Sequence, residues 1–145
     1  MLLKNAKIVN PKTNFEGISD IRIAGSIVKE IANNLQPKDI EVVVDLTGKI
    51  ITPGLVDIHC HLREPGFNAK ETIKTGIASA INGGYTAICP MANTNPQVDN
   101  ATTLTYTIIK AKEVSDIGFH PICAVTKGLG NEKIVKVSID DFFFL

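Results

Sequence analysis

Leu55-Val56-Asp57-Ile58-His59-Cys60-His61-Leu62-Arg63 is the stretch on which the reading of this chain turns. Leu55–Cys60 is a short apolar run behind Pro53-Gly54, a pattern suited to a buried β-strand. In a strand, residues i, i+2 and i+4 share a face. His59, His61 and, if the strand persists, Arg63 therefore point one way, and Cys60 and Leu62 point into an apolar layer behind. Two imidazoles on one face, at the C-terminal end of a buried strand, are placed to chelate one borderline metal such as zinc. Neutral imidazole binds through a lone pair, so such a site works near neutral pH and weakens in acid. The competing reading is plain: a His-X-His pair is common and usually structural. The Arg63 guanidinium offers a fork of donors suited to a carboxylate. Its alternative is a surface pairing with Glu64 or Glu71.

Downstream, the pattern alternates. Asn68–Asn82 reads as a helix, with Asn68 and Glu71 at capping-box spacing and Ile73, Ile77, Ala80 and Ile81 on one face. Gly83-Gly84 stops it. Tyr85–Cys89 is a second buried-type strand, and Met91–Asp99, rich in Asn and Pro, is a loop. Ala101–Val114 is a second helix with Leu104, Ile108 and Ala111 on one face, and Phe119–Val125 a third strand. Strand, helix, strand, helix, strand is the signature of βαβ units and a parallel sheet. Loops after successive parallel strands emerge on one rim, so Asn93 can converge with Arg63 over the histidines. The alternative for Asn93, Thr94, Asn95 and Pro96 is ordinary turn chemistry. His120, before Pro121, is placed near the start of its strand at the opposite rim and is read as structural. Gly128 and Gly130 make too loose a glycine pattern for a phosphate site.

Upstream, residues 1–52 read as short strands forming a small antiparallel sheet, part of a β-sandwich. Ser19–Ala24 alternates, Gly25-Ser26 turns, and Ile27–Ile31 returns as a hairpin partner. Ile40–Asp45 carries the run Val42-Val43-Val44, and Ile50-Ile51 begins another extended piece. The expected domains are thus 1–52 and 53–145. The second is far shorter than the ~250 residues of an eight-unit barrel. It is either a small complete α/β domain or the opening of a larger barrel. The apolar end Phe142-Phe143-Phe144-Leu145 fits an interrupted core or docking into a partner.

Composition narrows the partners. The 145 residues carry 15 Lys plus Arg and 15 Asp plus Glu, and this balance argues against a general nucleic-acid or anionic-membrane binder. No apolar run approaches the roughly 18 residues of a membrane span, and Met1–Asn5 opens no signal-peptide stretch. Cys60, Cys89 and Cys123 are an odd count without CxxC spacing, suited to a reducing compartment. A soluble, cytoplasmic protein is expected.

These residues resemble a family. Pro53-Gly54-Leu55-Val56-Asp57-Ile58-His59-Cys60-His61-Leu62-Arg63-Glu64-Pro65-Gly66 looks like the metal-binding opening of dihydroorotases of the bacterial, longer-chain type. Gly83-Gly84-Tyr85-Thr86 and Asn93-Thr94-Asn95-Pro96 resemble the next two landmarks in the same order, and residues 1–52 the start of that family's small β domain. The His-X-His marks the wider amidohydrolase superfamily; Leu62, Arg63, Pro65, Gly66 and Asn93 narrow it. Hydantoinases and allantoinases share the histidines, but Arg63 with Asn93 fits a carboxylated substrate better.

The resemblance implies an α/β fold: the opening βα units of a (β/α)8 barrel, incomplete in this chain, behind part of a β-sandwich domain. It implies a centre of one or two zinc ions and reversible ring closure of N-carbamoyl-L-aspartate to L-dihydroorotate in pyrimidine biosynthesis. Carried over by position, His59 and His61 bind zinc, and Arg63 and Asn93 hold the substrate carboxylate. Ala92 stands where the family often has Pro. The family's remaining ligands, two more histidines and acidic residues including the proton shuttle, come from later strands, the first acid shortly beyond Leu145. The chain alone is therefore expected to be a truncated form, inactive and poorly stable. Two other expectations stay open. One is a non-catalytic remnant that assembles with a partner such as aspartate carbamoyltransferase or with copies of itself. The other is a hydantoinase- or allantoinase-type hydrolase.

Overall fold

The computed structural model describes residues 1–130 and 132–136. The Phe142–Leu145 end, on which a partner was inferred, lies outside them. The chain divides into two units, Met1–Pro53 and Gly54–Leu145.

In the first unit, β1 (Leu2–Asn10), β2 (Phe15–Ala24) and β3 (Ile27–Ala32) form an antiparallel meander, with Gly25-Ser26 between the paired Ala24 and Ile27. The short strands β4 (Val43–Asp45) and β5 (Ile50–Ile51) both pair with β1 in parallel, so the sheet is mixed rather than antiparallel as expected. The cause is long-range. Leu2 meets Val43 and Lys7 meets Ile50, pairings that no local turn announces. β1 itself is hidden in the sequence by Lys4, Asn5 and Lys7. Asn5 takes φ 60° at a bulge between Leu3 and Ala6, where its N–H donates to the buried Asp20 carboxylate at 2.8 Å. The other Asp20 oxygen accepts the Leu35 N–H at 3.0 Å and lies 3.5 Å from the Lys4 ammonium. A buried carboxylate is tolerable only when its lone pairs are met in this way.

The second unit is a βαβαβ run. β6 (Leu55–Cys60), β7 (Tyr85–Pro90) and β8 (Gly118–Phe119) form a parallel sheet in that order, with α1 (Ile73–Asn82) and α2 (Ala101–Lys112) in the two crossovers. Leu62, Ile73, Ile77, Ile88 and Ala111 form one buried cluster, with Cys60, Tyr85 and Phe119 packed on it. A second gathers Ala92, Val98, Leu104 and Ala124. Gly76 lets α1 close on the end of β6: a Cβ there would stand 2.2 Å from the Leu62 Cδ2.

Three boundaries differ from expectation. α1 begins at Ile73, because Thr72 and Thr75 form the reciprocal cap and Asn68 instead accepts from the Gly66 N–H at 3.1 Å. Ile81, expected on the core face, is about half exposed. α2 is capped by Asn100, which accepts from the Thr103 N–H, and stops at Lys112 rather than Val114. β8 is two residues long and not Phe119–Val125. Pro121 has no N–H to offer a ladder, although His120 and Ile122 still donate to the Ile88 and Pro90 carbonyls. His120 therefore stands just past the C-terminal end of β8, on the rim where β6 and β7 also end, and not at the opposite rim.

Candidate metal and substrate site

β6 is irregular before its histidines. Asp57 pairs with Ile88 and Cys60 with Pro90, so the register slips in between. There the Asp57 carboxylate accepts the His59 N–H at 3.0 Å. Such bulges re-aim the side chains that follow. Beyond it the alternation holds. Cys60 and Leu62 pack into the cluster behind, and the His59 and His61 rings stand with centroids 5.2 Å apart at 69°. The two imidazoles are side by side, as a two-residue period requires. Burial, with nearby Asp57, Cys89 and Glu71, pushes the Cys60 thiol up to about 11.

Asn93 joins them from the loop after β7. Its Oδ1 lies 2.9 Å from the His61 Nδ1. The loop is a packed structure rather than a bare turn. The Ala92 carbonyl accepts from the N–H groups of Thr94 and Val98, Ala92 is buried beside Val98, Leu104 and Ala124, and the Thr94 hydroxyl donates to the Pro96 carbonyl. The loop after β6 braces it from outside: the Asn95 N–H donates to the Pro65 carbonyl at 2.9 Å. Gly66 sits against it with φ +93°, a backbone an L-residue avoids. Any Cβ there would meet the Asn95 carbonyl oxygen at 2.0 Å.

Arg63 is half-buried, and its guanidinium makes no hydrogen bond or ion pair with any described residue. The surface pairing with Glu64 or Glu71 is absent. Glu64 is engaged elsewhere: one carboxylate oxygen accepts the Ile73 N–H at 2.9 Å and the other the Tyr106 hydroxyl at 2.8 Å. It thereby caps α1 beside Thr72 and ties α2 to the same loop. The structure thus brings His59, His61 and Asn93 together. Arg63 makes no hydrogen bond to any of them.

Sequence reasoning missed Asp57 and Glu64. Asp57 was detectable as a lone carboxylate inside an apolar strand. Glu64 gave no local signal, since its partners lie nine and 42 residues away. Among the described residues no third His, Cys, Asp or Glu joins the histidines in a metal-binding group, His120 included. The donors present fit two positions of a zinc site: two borderline nitrogen ligands, one with its other ring nitrogen held by an oxygen. No helix among the described residues is long and apolar enough to cross a membrane.

Residues 48–141 match the family model described as dihydro-orotase-like. The dihydroorotase of Acetivibrio thermocellus is 44% identical over 141 residues, which cover 94% of this chain and 32% of that protein. The dihydroorotase of Caldicellulosiruptor saccharolyticus is 43% identical over 138 residues, with the same coverage. The chain spans about a third of the length of these curated relatives. Among solved structures, a D-hydantoinase (dihydropyrimidinase) from Thermus sp. aligns with a TM-score of 0.69 and 29% identity over 86% of this chain and 27% of that one. An L-hydantoinase from Arthrobacter aurescens aligns with a TM-score of 0.73, covering 86% of this chain and 28% of its own; at 22% identity it shares the fold alone. On the match across residues 48–141, and on relatives 43–44% identical along nearly its whole length, this chain belongs to the dihydro-orotase-like family.

Proposed function

We propose that the chain carries the first metal-binding and substrate-binding elements of a zinc-dependent cyclic amidohydrolase of dihydroorotase type. Its substrates are then N-carbamoyl-L-aspartate and L-dihydroorotate, and the βαβαβ run is the opening of a (β/α)8 barrel. The observation that carries the reading is the pair of histidines at the C-terminal end of β6, with rings side by side and one of them hydrogen-bonded to Asn93. His59 and His61 would hold the zinc, which when bound would supply a Lewis acid for an amide carbonyl and lower the pKa of water. Arg63, whose guanidinium has no partner among the described residues, and the Asn93 amide nitrogen bind the substrate carboxylate and so orient the ring. The residue that moves the proton is not among those described.

The D-hydantoinase likeness supports a second substrate class, cyclic amides without a carboxylate. The uncommitted Arg63 guanidinium favours the carboxylated one. Among the described residues two imidazoles are one short of the three protein ligands of a usual catalytic zinc site. The chain is therefore read first as a zinc binder. Equilibrium dialysis against zinc tests this. Wild type should retain zinc that His59→Ala and His61→Ala each lose. Zinc retention unaffected by either change would remove the metal reading, and with it the hydrolase assignment of these residues.

A further inference from the structure

We propose that Asn93 is a positioning residue for His61, a role separate from any contact it makes with substrate. Its Oδ1 accepts the His61 Nδ1–H and so leaves the Nε2 lone pair for a metal. This rests on the reading of His59 and His61 as metal ligands.

A neutral imidazole has one donor nitrogen and one acceptor nitrogen, and a carboxamide has one acceptor oxygen and two N–H donors. Which ring nitrogen keeps the proton is set by what faces the other. Here the atom facing Nδ1 is an oxygen, at 2.9 Å. An oxygen can only accept, so the proton belongs on Nδ1. Among the described residues the Asn93 amide nitrogen donates to nothing, and the side chain is exposed. One end of the carboxamide is therefore spent on the ring and the other stays open.

The platform beneath it is stiff. Ala92 on one side is buried and its carbonyl accepts two hydrogen bonds, and the Asn95 N–H on the other donates to the Pro65 carbonyl. An acceptor on a braced loop holds both the tautomer and the ring plane. This is how outer groups orient metal-binding imidazoles generally, and losing one costs about 10–100-fold in metal affinity. A single side chain then couples the metal side of the site to the carboxylate side.

The two ends of the carboxamide can be separated by substitution. Asn93→Asp keeps an oxygen acceptor and removes the donors; Asn93→Ala removes both. The exposed position makes either change tolerable to the fold. Long-range ¹⁵N–¹H spectra of the 145-residue chain, taken well above the ordinary imidazole pKa of about 6.5, report the His61 tautomer directly. Zinc titrations of the same samples report affinity. We expect the Nδ1–H form in wild type and in Asn93→Asp, and a shift toward Nε2–H in Asn93→Ala with zinc bound about 10-fold more weakly. An Nε2–H tautomer in wild type, a tautomer unmoved in Asn93→Ala, or zinc affinity unmoved in that variant would each overturn the proposal. His59→Ala is the separate control for the metal reading. If it leaves zinc binding unchanged, that reading fails, while the tautomer spectra still decide whether Asn93 orients His61.

Discussion

Gly66→Ala should loosen the site while leaving His59, His61 and Asn93 chemically intact. The new Cβ would fall 2.0 Å from the Asn95 carbonyl oxygen and 2.6 Å from the Asn95 Cβ. The first of these is backbone and cannot swing aside, so the two loops must part. Holding alanine at this φ costs about 1–2 kcal/mol. Overpacking adds about 1–3 kcal/mol, and the Asn95 N–H to Pro65 bond lost as the loops separate is worth about 1 kcal/mol. These terms overlap, because moving apart relieves the clash by breaking the bond. A net loss of about 2–4 kcal/mol is expected, a large share of a domain stability of about 5–15 kcal/mol. Urea unfolding followed by circular dichroism measures it, and amide hydrogen exchange locates it. The Asn95 amide should exchange faster, whereas amides of β1–β3, in the other unit, should not change. A destabilisation below about 0.5 kcal/mol, the scatter of neutral surface changes, with the Asn95 amide still protected, would refute the reasoning.

Two further outcomes follow from carboxylates. Glu64 holds the Tyr106 proton by accepting its hydroxyl, and so raises the Tyr106 pKa above the ordinary phenol value. In a Tyr85→Phe background, Glu64→Ala should bring the remaining tyrosine absorbance titration back down and, through the lost cap on α1, cost about 1 kcal/mol; an unmoved titration would remove Glu64 from this role. Asp20 is held below the ordinary carboxylate value of about 3.9, first by the Asn5 N–H, then by the Leu35 N–H and Lys4 against the opposing effect of burial. A folded-state pKa below the unfolded one stabilises above the unfolded value, and that stability is lost as pH falls through the folded value. Urea midpoints of wild type should therefore drop in acid more steeply than those of Asp20→Asn, and parallel slopes would count against the buried Asp20 cluster.

Much of the second unit was legible because its signals are local. The apolar run behind Pro53-Gly54 placed Leu55–Cys60 as a strand, although Leu55, Val56 and Ile58 are exposed among the described residues rather than buried as expected, and period two placed the histidines side by side. Period 3.6 with Gly83-Gly84 placed most of α1, and the parallel-rim argument brought Asn93 to His61 across 32 residues. What was not legible depends on partners distant in sequence. Asn68 and Glu71 have capping-box spacing, yet the Ile73 N–H is met by Glu64, so the helix starts later. The polar residues of β1 disguise a strand that is held by Asp20, Val43 and Ile50. His120 was assigned to the wrong rim because an apolar run containing Pro121 looked like one long strand.

The six residues from His59 to Glu64 alternate in allegiance. Cys60 and Leu62 face the apolar cluster, and Glu64 fastens two helices. His59 and His61 stand together on the other side, and the Arg63 guanidinium is uncommitted. The strand ends at Cys60 and the chain turns at Glu64, but where sides alternate, from His59 to Leu62, losing or gaining one residue would exchange the two sets. Point changes at the odd-numbered positions can retune chemistry without disturbing the scaffold, whereas a single deletion would drive imidazoles into oil and expose leucine to water.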